Sequence, residues 1–191
     1  LKMLVDEKRL PPIDRWAVQN DLFSLCVSGD EQVRNYLDFS DAYFDEDSYL
    51  ASVNVAHNLA SLYFRAFDEK FVEEIRSYAI NYFRKILSNL GWEPKKSDKH
   101  TDALLRTFAI AVLGKMNDET VTDEAIKKYK KFLKSPRSLS PDLIETICSI
   151  AAWNGNSKTF AELKKLYTNA KTMEEKLRFL GAMCGFQDKK L

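Results

Sequence analysis

Apolar residues recur along this chain at spacings of three and four, and no convincing run of strict alternation appears. That period lines one face of an α-helix. Pro11-Pro12 precede Asp14, read as an N-cap, and Trp16, Leu22, Phe23, Cys26 and Val27 form a first stripe that stops at Gly29. Asp30 is read as the cap of a second helix through Val33, Tyr36 and Leu37. Asp45-Glu46-Asp47 opens a third, with Leu50, Val53, His57, Ala60, Phe64 and Phe67 facing inward. A fourth spans 68–90, turns in Phe71, Ile75, Tyr78, Tyr82, Phe83 and Ile86, and ends at Gly91.

After the loop at 92–99, a fifth helix over 100–116 is apolar nearly all round, as expected of a helix surrounded by others. Thr122 is read as the cap of a sixth, running to Leu133. Ser140-Pro141 supplies an N-cap followed by proline for a seventh, closed by Gly155. An eighth begins at Ser157 or Thr159, and the Thr172-to-Glu175 spacing is a capping box for a ninth. Helix pairs therefore start near residues 14, 46, 99, 140 and 172. Two-helix units of this size bury their apolar faces only by stacking. The expected fold is all-α: a HEAT-like superhelix of stacked antiparallel helix pairs, an α-solenoid, cut short at its C-terminal end. Residues 1–191 are read as a single helical-repeat domain.

Composition supports this and narrows the function. Only 6 Gly and 5 Pro occur in 191 residues, too few for the turns of a β-sandwich or barrel, and they are expected at helix ends. The chain starts Leu1-Lys2-Met3 and ends Asp188-Lys189-Lys190-Leu191, so it is read as a piece of a larger protein. Net charge is +1, which provides no global field toward nucleic acid or membrane. The balance is uneven, with 13 acidic against 7 basic residues over 1–70 and 15 against 22 over 71–191. The acidic segment is expected to contain or adjoin an interface with a preceding domain. Cys26, Cys148 and Cys184 sit in apolar helical patterns and are read as buried free thiols, which suits a cytoplasmic setting.

Candidate chemistry is sparse. His57 and His100 stand 43 positions apart and form no zinc motif, and His57 is read as a hydrogen-bonded core histidine. No glycine-rich phosphate loop or nucleophile elbow occurs. The acidic triplet at 45–47 is able to bind a cation, but as a cluster at a helix N-terminus it is adequately explained by capping and the helix dipole. The run Lys127-Lys128-Tyr129-Lys130-Lys131 is read as a solvated face with Tyr129 turned to the core; an RNA-binding solenoid would need that run to be a phosphate site. Arg106 stands out on the most apolar helix. Buried there, it must be paired. It is either a structural bridge, for instance to Asp102, or a cation on a concave wall that meets a peptide carboxylate or lines a channel.

The order of several short motifs resembles the C-terminal helical domain of zinc aminopeptidases of the aminopeptidase N and puromycin-sensitive type. These are Asp14-Arg15-Trp16 with Asp21 and Phe23, the Leu90-Gly91-Trp92 phrase, His100 followed by Leu104-Leu105-Arg106, and Ser140-Pro141-Asp142-Leu143. The likeness is strongest to archaeal aminopeptidases that act with the tricorn protease. It implies structural roles for Asp14, Arg15, Trp16, Asp21, Trp92 and His100. It implies that zinc and the catalytic motifs belong to a separate catalytic domain of the parent chain, since neither motif is present here. It implies a domain without catalytic or metal residues that caps an active site and limits peptide access in cytosolic peptide degradation. Its partners would be the catalytic domain, peptides on its concave face and tricorn protease. The competing expectation is a free-standing helical-repeat scaffold for protein–protein interaction.

Overall fold

The computed structural model describes residues 1–188 and 190. Lys189 and Leu191, part of the chain end read above, lie outside the described residues. Among the described residues there are ten α-helices, two short 3-10 turns at Asp41–Tyr43 and Pro136–Ser138, and no strand. The chain is all-α, as its periodicity predicts. It divides into two compact units, the first comprising Leu1–Leu90 and Lys99–Leu105, the second Gly91–Asp98 and Arg106–Leu191.

The first unit holds α1 (Lys2–Asp6), α2 (Pro12–Ser28), α3 (Val33–Ser40), α4 (Tyr49–Arg65) and α5 (Val72–Leu90), and takes the opening turns of α6 (His100–Lys115). α4 packs on both α2 and α5. Its buried face is Ala51, Val55, Ala56, Leu59, Leu62 and Tyr63, with Phe83 of α5 fully buried in the same unit. Each such large side chain removed from water contributes about 1.5–3 kcal/mol. The predicted stripe is therefore out of phase. Leu50, Phe64 and Phe67 are 43%, 42% and 53% exposed, and His57 is exposed rather than a core residue. The face pressed between two neighbours mixes small residues, Ala51, Ala56 and Ala60, with Val55, Leu59, Leu62 and Tyr63, and leaves Leu50 and Phe64 outside.

Several predicted caps move as well. α2 begins at Pro12 after Pro11, so Asp14 lies in its first turn instead of capping it. Gly29 and Gly91 take the left-handed conformation, φ +86° and +72°, which L side chains adopt at a cost, and end α2 and α5. Ser48, not the acidic triplet, is the N-cap position of α4.

The second unit contains the rest of α6, then α7 (Glu119–Lys134), α8 (Pro141–Trp153), α9 (Ser157–Asn169) and α10 (Met173–Met183). α8 packs on α7 and α10, and α9 packs on α10. Asp118 caps α7, its side chain accepting from the Val121 amide at 2.9 Å, where Thr122 was the predicted cap. Thr172 and Glu175 close the predicted capping box on α10. Not every glycine marks a helix end. Gly114 lies inside α6, and a Cβ there would stand 2.5 Å from Ile150 of α8. It permits a close approach of two helices.

Candidate functional site

Two arginines, one in each unit, are almost sealed from water. In the first unit Arg15 is 3% exposed. Its Nε and Nη2 donate to the two oxygens of Glu46 at 2.8 and 2.6 Å, Nη2 also to Asp47 at 3.0 Å, and Nη1 to the Leu10 carbonyl at 2.7 Å. This is the planar fork meeting a carboxylate two-handed. The Glu46 hydrogen bond above all raises the Arg15 pKa. Tyr43 donates to the Arg15 carbonyl at 2.6 Å. One turn on, Gln19 is fully buried and joins Asn54, Asn58 and Tyr36 by hydrogen bonds. The acidic triplet is thus an ion-pairing element as well as a helix entry. Asp45 meets Lys85 at 2.7 Å, Asp47 meets Lys8 at 3.1 Å, and Glu46 accepts the Ser48 amide at 2.7 Å.

In the second unit Arg106 is 1% exposed. Its Nε donates to the Gly91 carbonyl at 2.9 Å and its Nη2 forms an ion pair with Asp98. Asp98 also accepts the Lys95 amide at 2.8 Å. That amide, and then Arg106, hold its carboxyl below the usual 3.8. The guanidinium fastens both ends of the segment 91–98. Asp102, the bridging partner considered from sequence, instead accepts the Lys99 amide at 2.8 Å.

The remaining motif residues scatter. Asp14, Asp21 and His100 are exposed, while Trp16 and Trp92 are half-buried. Trp92 carries the Lys128 ammonium 5.6 Å from its ring centroid, within cation–π range. In the lysine run Tyr129 and Phe132 face the core as expected, and Lys128 pairs with Glu93 and Glu124.

Cys148 is buried and its thiol is pushed up to about 12, chiefly by burial, so it stays protonated. Cys26 is half-buried, and Cys184 is exposed at the end of α10, contrary to the expectation that all three thiols are covered. Among the described residues no three His, Cys, Asp or Glu side chains are grouped to hold a metal ion. The donors among the described residues do not fit a zinc site. No helix among the described residues is long and apolar enough to cross a membrane.

In the first unit a cavity of about 240 Å³ adjoins the Arg15 network, with Glu46, Asp47, Ser52, Asn89 and Asp102 on its lining. Its carboxylates are committed to Arg15, Lys8 and the Lys99 amide. Arg15 was named from sequence, but its partners were not. The only signal for them is the unbroken acidic triplet at 45–47, which carries more charge than a helix entry needs.

Known proteins extend this picture. The chain is 23% identical to aminopeptidase M1-A of Oryza sativa subsp. japonica over 98% of its own length and 22% of the relative's. It is 24% identical to aminopeptidase M1 of Arabidopsis thaliana over 98% of the chain and 22% of that protein. It is 26% identical to aminopeptidase 2 of Candida albicans over 91% of the chain and 19% of that protein. The chain thus spans about a fifth of the length of these curated relatives. A family model described as the ERAP1-like C-terminal domain matches residues 1–191, and the chain belongs to that family.

Proposed function

We propose that this chain is the non-catalytic C-terminal domain of a zinc metalloaminopeptidase, where it caps the active site and controls the access of peptides. The observation that carries this is the family match over residues 1–191, together with relatives named aminopeptidases of which the chain spans about a fifth. Capping works by steric exclusion and by hinge motion against the catalytic domain. Cytosolic peptide degradation, the archaeal subtype and tricorn protease as partner are the finer parts of this proposal and rest on the sequence resemblance. That all 191 residues act as one domain is likewise part of it.

Two measurements test the reading. Purified alone with zinc, the chain turns over no aminoacyl amide; measurable zinc-dependent turnover overturns the non-catalytic assignment. Deleting the segment from the parent raises turnover of long peptides relative to single-residue amides. An unchanged ratio overturns the capping role. Arg106, with Asp98 on its guanidinium and only 1% exposed, is proposed to pin the 91–98 segment. Arg106→Ala in the parent then changes KM for long peptides and for single-residue amides alike. A selective rise in KM for long peptides would assign it to a peptide carboxylate or a channel wall.

A further inference from the structure

α10 carries apolar residues on two opposite faces. Phe179 and Ala182 are its buried residues, and α8 and α9 are the helices it packs on. Met173, Leu177 and Leu180 are 70%, 60% and 43% exposed. Steps of four and three set these residues in one line along the helix. Cys184, exposed just past the helix end, continues the line by another four. At 3.6 residues per turn, that line falls nearly opposite Phe179 and Ala182.

A helix with one neighbour shows one apolar stripe, and a helix apolar on both sides is enclosed from both sides. The fold holds two such helices already: α4 packs on α2 and α5, and α8 packs on α7 and α10. The inner face of α10 is covered in the same way. Its outer line is open to water.

Gly181 is a separate sign of a missing neighbour. It lies inside α10, where glycine is the least favourable residue after proline. A Cβ there would meet nothing nearer than a Glu145 carboxylate oxygen at 4.0 Å. Gly114, the other glycine inside a helix of this unit, leaves room for Ile150 of α8. Gly181 stands next to Leu180 and one turn from Leu177, at the edge of the exposed line, with no such helix against it.

The size of the line selects its occupant. Four side chains over about three turns match the contact of one helix. They fall well short of the ~800 Å² per partner that a stable interface between separate proteins buries. A tethered helix needs less, because its tether supplies a high effective concentration. The chain spans about a fifth of the length of its curated relatives, so a parent of that size has residues outside 1–191 to supply one.

We propose that Met173, Leu177, Leu180 and Cys184 are covered by an amphipathic helix of the parent protein from outside residues 1–191, which packs antiparallel or parallel to α10 and approaches closest at Gly181. This rests on the reading of the chain as part of a longer aminopeptidase only in needing that parent. Its test reads no peptidase activity, so the two fail separately.

The test is maleimide labelling of Cys184, followed by mass spectrometry, in the 191-residue chain and in the parent. Cys184 labels at least about tenfold more slowly in the parent, as a covered thiol does. In the parent, Leu177→Asp brings the Cys184 rate back toward that of the chain, because a carboxylate under an apolar cover has no partner. Leu177→Met, similar in volume, keeps the protection. Cys148, buried in the core, stays unlabelled in both variants, which shows that only the cover has opened. With photoreactive benzoylphenylalanine in place of Leu177, the parent cross-links within one chain to a helix outside 1–191. Three results overturn the proposal: equal Cys184 rates in chain and parent, unchanged protection in Leu177→Asp, or a cross-link from position 177 to a second copy.

Discussion

Arg15 and Glu46 are 31 residues apart and share two hydrogen bonds where the Glu46 side chain is only 1% exposed. Removing the cation alone strands that carboxylate. Arg15→Met is expected to lower stability by about 3–5 kcal/mol, the range for breaking one side of a buried pair. Replacing both ends, Arg15→Met with Glu46→Leu, recovers most of the loss, because the desolvation of both charges is then relieved. Urea denaturation of the single and double variants checks this. A single variant as stable as the parent chain would show that the pair contributes nothing. Arg15 was visible in the sequence only as part of a motif. Its pairing with Glu46 reaches past the end of α2, the whole of α3 and the 3-10 turn at Asp41–Tyr43 and carries no local period, so from spacing the triplet at 45–47 reads as capping alone. Arg106 was more legible, since a charge in the most apolar helix demands a partner. Which partner depended on how the segment 91–98 folds back, and no spacing encodes that.

At the scale of elements, helix type and number were largely readable, and helix phase and caps less so. Apolar spacing placed α5, α6, α8, α9 and α10 to within a few residues. α4 differs in phase because the large apolar groups at 50 and 64 outweigh, on paper, the face of Ala51, Val55, Leu59 and Leu62 that its neighbours cover. α1 was missed because five residues carry too little periodicity to register. The cap of α7 offers a direct comparison. Asp118 is 2% exposed and accepts the Val121 amide, whereas the Thr122 hydroxyl is buried and makes no hydrogen bond. Asp118→Ala is expected to cost about 0.5–2 kcal/mol. Thr122→Val is neutral or stabilising, since it removes an unsatisfied polar atom without changing shape. Thermal melts of the two variants separate the assignments, and the reverse order would restore Thr122 as the cap. Gly114 sets a second limit on α6. Gly114→Ala drives a methyl into Ile150 and is expected to cost about 1–3 kcal/mol despite the better helix propensity of alanine. Ile150→Val in the same chain should relieve part of that loss. A stabilised Gly114→Ala variant would mean that the two helices separate freely.

Over the whole chain, the order of weak motifs carried the family resemblance, because each motif alone is common and only their sequence along 191 residues is specific. The ionisable groups, taken together, bound the pH range in which the chain is stable. Asp45, held chiefly by Lys85, Asp47, held chiefly by Lys8, and Asp98, held by the Lys95 amide and Arg106, lie below the ordinary 3.8. Glu31 and Glu175, accepting backbone amides, lie below 4.5. A carboxylate with a depressed folded pKa contributes stability above its unfolded pKa and loses it as pH falls through the folded value. Stability therefore declines below about 4. At the other end, burial above all raises Tyr36, Tyr43, Tyr78, Tyr82 and Tyr129 from 10.0, with Asp41, which accepts a hydrogen bond from the Tyr78 hydroxyl at 2.9 Å, adding to the shift of Tyr78. Unfolded tyrosines lose protons near 10 while the folded ones keep them, so stability falls again as pH rises beyond that value. Urea midpoints should form a plateau from about 4.5 to about 10 with a loss on each side. In the alkaline limb, tyrosinate absorbance from these buried residues should appear together with the loss of helical circular dichroism. Full tyrosinate absorbance in a chain that keeps its helices would show that the phenols ionise in place, and would sink the alkaline half of the prediction.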